Sequence, residues 1–316
     1  MKILVVQNIP KESLKNIPNN FTIIYQEKDF FTKQEIIEKG AGVTALLSVF
    51  NQPVDREIID SLPDLKIIAN FGVGFNNIDI EYAAKKNIVV TNTPKPVSEP
   101  TAELTIGLII TLLRRISEFD RKLRTNKNFE WGVMKNLGSS VSGKKLGIIG
   151  MGNIGKSVAM KAKALGMNIL YHNRKPISEL ENISLEAQYL SLNELLSQSD
   201  VVSLHVPLTK ETAKMIDINE LNLMKKTAFL INTSRGAVVN EKALVKHLQA
   251  GNIAGAALDV FENEPYIPQE LLEMDNVVLV PHIGTGSYEG RTEIGICAVN
   301  NILAFFNGQP IPDRIV

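Results

Sequence analysis

The hexapeptide Gly150-Met151-Gly152-Asn153-Ile154-Gly155 follows the β-branched run KLGII and leads directly into KSVAMKAKALG, which has helical periodicity. Three glycines at that spacing between a strand and a helix have a defined physical use. Gly150 makes the tight turn, Gly152 lets a pyrophosphate approach the backbone, and Gly155 lets the helix pack close to the strand. The unpaired amides and positive end of the helix then face the phosphates. A plain βα turn could use glycines for φ angles and packing alone. Here the strand before the motif and the helix after it favour a dinucleotide site.

The same alternation runs through the chain. Segments 3–6, 22–25, 44–49, 66–70 and 88–91 read as buried parallel strands, with helices at 33–39 and 55–61, which makes a small doubly wound α/β unit. Segment 101–124 is apolar at first and then amphipathic and basic, which predicts one long helix able to link two domains. After a glycine- and serine-bearing stretch at 132–143, strands are expected at 146–149, 168–172, 201–205, 227–232, 253–260 and 277–280. No strand signal follows Pro281, and 290–306 is helical. The N-terminal unit is short for a closed domain, so the C-terminal segment is expected to return and cover it. The expected fold is therefore α/β with two doubly wound parallel-sheet domains. One is a Rossmann nucleotide-binding domain at 99–286, and the other is a smaller, discontinuous, flavodoxin-like substrate domain at 1–98 and 287–316. A length of 316 residues agrees with about two domains.

Lys and Arg total 34 against 34 Asp and Glu, so nothing in the charge suggests a nucleic-acid or anionic-membrane partner. The apolar run at 104–113 is about half of the roughly 20 residues that a spanning helix needs. The run opening the chain is too short for a signal-peptide core, so a cytoplasmic protein is expected. One cysteine, Cys297, excludes an internal disulfide and a cysteine-built metal site. Its apolar helical setting suggests a buried, reduced thiol. No His, Asp and Glu spacing suggests any other metal site.

The strand NILYHNRK bears on which dinucleotide fits. An acid would ordinarily end this strand and bind the ribose hydroxyls, but Asn173 stands there, followed by Arg174 and Lys175. Without the carboxylate a 2′-phosphate is not repelled, and a guanidinium can bind it bidentately. NADP is thus expected to be preferred, with NAD also usable. The bland alternative is a solvated strand end.

Three further polar residues follow three other strands: Arg235 in TSRG, Glu264 in FENEP and His282 after VVLVP. In a parallel sheet these ends share the carboxyl edge with the glycine turn, where ligands of open α/β sheets bind. Each could be a cap or a loop residue, but their convergence suits reduction of a 2-oxo acid. The carbonyl oxygen becomes an alkoxide and needs a proton, which a histidinium can give. A neighbouring carboxylate, Glu264, favours the charged imidazolium. Arg235 can pair with the substrate carboxylate through a planar fork that lysine lacks. His172 and His205 sit at strand ends, and His247 is expected on a charged helix face; none is assigned chemistry.

The segments GVGFNNID, TAELTIGL, GKKLGIIGMGNIGK, HVPLTKET, INTSRGAVVNEKAL, GAALDVFENEP and PHIG carry a resemblance to the D-isomer-specific 2-hydroxyacid dehydrogenase family, glyoxylate/hydroxypyruvate reductase branch. The resemblance implies Arg235, Glu264 and His282 as the catalytic triad, with Arg235 and His282 also touching substrate. It implies substrate-carboxylate binding by the amides of Val73 and Gly74, in keeping with glycines that allow close backbone approach. It further implies cofactor contacts at Thr101, Asn153, Ile154, Val206, Pro207, Thr212, Thr233, Asp259, His282 and Gly284, and a homodimer joined through the nucleotide domains near 101–124. Asn51, with Phe50, Phe75 and Tyr288, is nominated for the substrate pocket. Departures from relatives are informative. Val73 replaces the lysine of phosphite-oxidising relatives, and Glu264 stands where formate dehydrogenases pair their histidine with a glutamine. A chain ending at Val316 lacks the regulatory extension of many phosphoglycerate dehydrogenases, so serine feedback is not expected.

The activity so implied is reduction of a small 2-oxo acid, such as glyoxylate or hydroxypyruvate, to the D-2-hydroxy acid. The alternatives are a dehydrogenase for larger branched or aromatic 2-oxo acids and a dinucleotide-sensing binding protein of the corepressor type. Neutral charge and short termini weigh against the last.

Overall fold

The computed structural model describes residues 1–25, 29–49, 52–125 and 129–316. Contacts divide the chain into two units, Met1–Val97 with Thr285–Val316, and Ser98–Gly284. The first opens with β1 (Lys2–Val5), β2 (Thr22–Ile24), α1 (Lys33–Glu38), β3 (Ala45–Val49), α2 (Arg56–Ser61), β4 (Ile67–Phe71), α3 (Ile80–Lys85) and β5 (Val89–Thr91). Its sheet is parallel with order β2-β1-β3-β4-β5. Every residue of β3 and β4 is buried, which explains mostly apolar strands without alternation; the polar exceptions, Ser48 and Asn70, bond to each other. Side chains mark where the helices begin: Thr32 and Glu35 form a capping box on α1, while Asp55 and Asp79 cap α2 and α3.

The second unit starts with α4 (Ser98–Leu113) and α5 (Ile116–Thr125). The single helix expected over 101–124 is therefore two. Arg115 takes a left-handed φ of 55° and breaks the helical ladder. Its guanidinium donates to both oxygens of buried Glu118 at 2.6 and 2.7 Å and to the carbonyl of Leu137 at 3.0 Å. The Ser139 amide takes the carbonyl of Leu113 that would otherwise have continued the helix. Side-chain periodicity alone does not report such a break, because it depends in part on Leu137 and Ser139, more than twenty positions away.

There follow β6 (Lys145–Ile149), α6 (Asn153–Ala164), β7 (Asn168–His172), α7 (Glu179–Leu185), β8 (Gln188–Tyr189), α8 (Leu192–Gln198), β9 (Val201–Leu204), α9 (Ile218–Leu223), β10 (Phe229–Asn232), α10 (Glu241–Gln249), β11 (Gly255–Leu258), α11 (Gln269–Glu273) and β12 (Val277–Leu279). The seven strands are parallel in the order β12-β11-β10-β9-β6-β7-β8. The order reverses at β6 and β9, the switch point of a doubly wound Rossmann sheet. Only β8 lacks a counterpart among the expected strands; two exposed residues at the sheet edge are too few to show a periodicity. One core face packs Leu195, Leu196, Val202, Leu204 and Leu230, and the other packs Ile109, Leu146, Ile148, Val158 and Ile231. Truncating one such side chain to Ala costs about 2–5 kcal/mol.

The last helix, α12 (Tyr288–Phe306), packs on β4 and on a 3₁₀ turn at Lys11–Leu14. Gly295 permits the approach, since a Cβ there would lie 2.3 Å from Ser13 Oγ, and Ser13 Oγ donates to the carbonyl of Thr292. The terminal residues run back along β5 through Val90–Val316 and Ile315–Val90 backbone bonds.

Cys297 lies on α12 half-buried, less enclosed than expected, with its thiol directed to Asp313 at 3.3 Å. Burial and then that carboxylate push its pKa up to about 12. The thiolate fraction at pH 8 is then about a thousandfold below that of a cysteine titrating near 9. Alkylation by iodoacetamide, followed by mass spectrometry, should be slow until the chain is denatured; native labelling at the rate of free cysteine would contradict this environment.

Candidate active site

The residues singled out from the second βα series stand at the carboxyl ends of consecutive strands. The glycine turn follows β6, Asn173 follows β7, Val206 and Pro207 follow β9, Thr233 to Arg235 follow β10, Asp259 to Glu264 follow β11, and His282 follows β12. A parallel sheet delivers all of these ends to one edge.

The three glycines differ in what surrounds them. Gly150 has φ of 101°, and a Cβ there would lie 2.6 Å from the carbonyl oxygen of His205. A Cβ on Gly155 would lie 2.2 Å from the Gly150 carbonyl oxygen, so α6 packs directly onto the turn. A Cβ on Gly152 would meet nothing within 4 Å. The protein itself closes the first and third positions and leaves the second open, the arrangement that close approach of a pyrophosphate requires. The N-terminus of α6 has no capping side chain and no acid in its first turn, so Asn153, Ile154 and Gly155 present the positive end of a helix. Asn173 turns its carbonyl oxygen inward onto the Met151 amide at 2.7 Å, while Arg174 and Lys175 are exposed.

Thr101, Thr233, Asp259 and Gly284 gather on one cluster. A Cβ on Gly284 would lie 3.1 Å from Asp259 Oδ2 and 3.5 Å from Thr101 Oγ1. Thr105 Oγ1 links to the Thr101 carbonyl at 2.8 Å and to Thr233 Oγ1 at 3.0 Å. Thr212 instead folds its own loop, donating to the Pro207 carbonyl at 2.6 Å and accepting from the Thr209 amide.

His282 Nδ1 lies 2.8 Å from Glu264 Oε2, with both side chains about one-third exposed. Burial opposes ionisation of Glu264. The hydrogen bond and charge of His282, the Phe261 amide and the charge of Arg235 outweigh it and hold the carboxyl below the usual range. Arg235 donates from Nη1 to the Ser234 carbonyl, and burial lowers its pKa while Glu264 raises it. His282 is in the left-handed region with φ of 52°. Its amide donates to the Asp259 carbonyl at 2.9 Å, and the amides of Ile283 and Gly284 donate to the Asp259 carboxylate at 2.6 and 2.8 Å. Burial raises the Asp259 pKa to about 6 against the opposing pull of those amides and His282.

Two residues not singled out from the sequence shape this edge. Asn232, 1% exposed, donates to the Arg235 carbonyl and accepts from the amide and hydroxyl of Ser234, closing the TSRG turn. An Asn at the end of a strand and before a turn was the available signal. Gly236 abuts the loop that carries Glu264: a Cβ would lie 1.9 Å from the carbonyl carbon of Phe261.

The other histidines have structural partners. His172 Nδ1 donates to the Leu190 carbonyl and its ring stacks on Tyr189. His205 Nε2 shares a 2.8 Å bond with Ser203 Oγ, and burial pushes its pKa down to about 3. His247 corrects the expectation of a charged helix face: it is 7% exposed, with Nδ1 bonded to the Ala243 carbonyl. Phe50 and Asn51 lie outside the described residues. In the first unit, Val73 is 37% exposed on the loop after β4. A cavity of about 230 Å³ at the break between α4 and α5, lined by Arg115, Glu118, Leu137 and Phe229, opens at the amino-terminal edge of the sheet, away from this chemistry.

A Rossmann sheet with an open glycine turn and a carboxylate-paired histidine beside an arginine defines a nicotinamide-dinucleotide-dependent oxidoreductase. Residues 106–284 match the family model described as D-isomer specific 2-hydroxyacid dehydrogenase, NAD binding domain. A glyoxylate reductase from Thermococcus litoralis is 43% identical over 322 residues, covering 100% of this chain and 96% of the relative. The crystal structure of a Thermus thermophilus protein superposes with a TM-score of 0.93 at 36% identity and covers 100% of both chains. An NADPH-dependent glyoxylate/hydroxypyruvate reductase from Sinorhizobium meliloti, solved with NADP and malonate, gives 0.87 at 32% identity, covering 100% of this chain and 96% of that one. The chain belongs to the D-isomer-specific 2-hydroxyacid dehydrogenase family.

The Gly236 contact yields a direct test. Gly236→Ala must displace the Phe261 backbone and with it Glu264, so kcat/KM should fall by at least about tenfold and Tm should drop. A variant with native Tm and rate would show that this approach does not position the pair.

Proposed function

We propose that this chain reduces a small 2-oxo acid, glyoxylate or hydroxypyruvate, to the D-2-hydroxy acid with NADPH as the preferred cofactor. The observation that carries the reading is the 2.8 Å pairing of His282 with Glu264 near the charge of Arg235. Relatives described as glyoxylate reductases support the substrate class, and the Sinorhizobium meliloti relative is described as NADPH-dependent.

The bound nicotinamide supplies hydride to the carbonyl carbon. Arg235 pairs with the substrate carboxylate and polarises the carbonyl oxygen. His282 gives that oxygen its proton through the ring nitrogen opposite the one held by Glu264, and the Glu264 carboxylate stabilises the imidazolium beforehand. The amides of Val73 and Gly74 belong to the same reading as ligands of the substrate carboxylate. The amides of Asn153, Ile154 and Gly155 take the pyrophosphate, and Thr101, Val206, Pro207, Thr212, Thr233, Asp259 and Gly284 surround the rest of the cofactor. Arg174 and Lys175 take the 2′-phosphate, with Asn173 imposing no repulsion.

A homodimer completes the reading. It is supported by the exposed apolar run that includes Trp131 at 85%, Val133 at 92% and Met134 at 79% exposure. A sedimentation mass near that of one 34.9 kDa chain would exclude it.

The deciding experiment follows loss of reduced-nicotinamide absorbance with glyoxylate, hydroxypyruvate, pyruvate and 2-oxoisocaproate, using both cofactors. The highest kcat/KM should fall on one of the first two acids with NADPH; tight nucleotide binding without turnover of any acid would favour a dinucleotide-sensing binding protein.

His282→Asn should lower kcat by about 10²–10⁴-fold with NADPH binding intact, and Arg235→Ala should raise KM and lower kcat together. Glu264→Gln replaces the carboxylate that holds Nδ1 of His282, so kcat should fall by about tenfold or more while the KM for NADPH stays unchanged. A His282 variant with near-native kcat would remove the proton-donor assignment. Replacing Arg174 and Lys175 with Ala should raise KM for NADPH by about tenfold or more and leave that for NADH nearly unchanged. Equal KM values for the two cofactors in the native protein would exclude the NADP preference.

A further inference from the structure

The loop Gly72-Val73-Gly74 leaves the end of β4 with every carbonyl oxygen held. The Gly72 carbonyl accepts from Asn70 Nδ2 at 3.2 Å and from the Thr93 amide at 3.1 Å. The Val73 carbonyl accepts from Asn92 Nδ2 at 2.9 Å, and the Gly74 carbonyl accepts from Asn70 Nδ2 at 2.9 Å. The Gly72 amide is also used, donating to Thr93 Oγ1 at 2.9 Å, and Gly72 takes a φ of 146° that suits glycine. The amides of Val73 and Gly74 have no acceptor among the described residues.

Asn70 is the centre of this arrangement. It is fully buried in β4, and its carboxamide oxygen accepts from Ser48 Oγ at 3.1 Å and Asn77 Nδ2 at 3.5 Å. The carboxamide is thereby oriented so that its nitrogen can address only the loop. A carboxylate approaching a backbone loop is attracted by N–H dipoles and repelled by C=O dipoles. Holding three successive carbonyl oxygens on internal donors removes the repulsive edge and leaves two adjacent donors. Neither Asp nor Leu, both close to Asn in size, could do this, since one lacks the donors and adds a negative charge and the other is apolar.

We propose that Asn70, assisted by Asn92, is a positioning residue that sets the amides of Val73 and Gly74 to bind the carboxylate of the 2-oxo acid. This rests on the reading of those two amides as carboxylate ligands. Asn70 touches no substrate and acts only through the loop.

The experiment uses the full chain. Glyoxylate reduction is measured at saturating NADPH, and oxalate, an unreactive dicarboxylate, is titrated calorimetrically into the protein with NADP⁺. Asn70→Ala should raise the KM for glyoxylate and the Kd for oxalate together by about tenfold, with the KM for NADPH unchanged and kcat altered by less than about threefold. Asn92→Ala, which removes only the bond to Val73, should move both constants in the same direction by less, and it decides the matter should Asn70→Ala not fold. Unchanged glyoxylate KM and oxalate Kd in the folded variants would overturn the proposal. So would an NADPH KM that rises in step with them, because general damage would then account for the effect. If the unaltered protein reduced no 2-oxo acid, the proposed reaction would fail, whereas weaker oxalate binding by the variants would still support the role of Asn70.

Discussion

The Asp259 carboxylate is 1% exposed, and the backbone that carries His282 is built around it. Removing an ionised group from water costs several kcal/mol unless hydrogen bonds replace its hydration, and burial accordingly raises this pKa to about 6. The replacement comes from the amides of Ile283 and Gly284, each a bond to a charged group of about 1.5–3 kcal/mol. Those two amides meet the carboxylate with His282 held at a left-handed φ, a conformation that costs a non-glycine residue about 1–3 kcal/mol. The compensation of one buried charge thus aims the imidazole. With the ring so placed, Glu264 meets Nδ1, and the same carboxylate feels Arg235.

These loops meet because the sheet beneath them is parallel. Six consecutive strand ends supply the glycine turn, Asn173, Val206, Arg235, Glu264 and His282. Local contacts then refine what topology brings together. Gly236 lets the turn after β10 press on the loop after β11, and Asn232 closes the turn that holds Arg235. The electrostatics are equally local. Lysine and arginine balance aspartate and glutamate, so no global field draws an anionic cofactor or substrate. The positive groups at this edge are local instead: the uncapped start of α6, Arg174 and Lys175, and Arg235.

Legibility varied with the range of the interaction that decides each feature. Strands such as Asn168–His172 were readable because burial of Ile169, Leu170 and Tyr171 leaves an apolar run at the strand's centre. The glycine turn was readable because its spacing and flanks are contiguous. The break at Arg115 was not, since Glu118, Leu137 and Ser139 decide it from the neighbouring helix and a later loop. His247 follows Lys246 in the chain yet is buried, because its ring turns back onto α10 and towards Asn222. Asn70 and Asn232 passed unnoticed for a related reason: a buried amide at a strand end shows its role only when its partners are known.

The amino-acid sequence by itself determined the class of fold, the dinucleotide turn, the absence of an acid after β7 and the residue types able to donate a proton and bind a carboxylate. These are properties of local spacing and side-chain chemistry, and neighbours in the chain suffice to express them. Only the tertiary structure decided that His282 and Glu264 stand 2.8 Å apart, that Asp259 fixes the backbone between Pro281 and Gly284, and that Asn70 turns the carbonyls of its loop inward. Such contacts join residues separated by a strand or more, or hang on the rotamer of a buried amide. They exist only where packing and the need to satisfy buried polar groups select one arrangement from many.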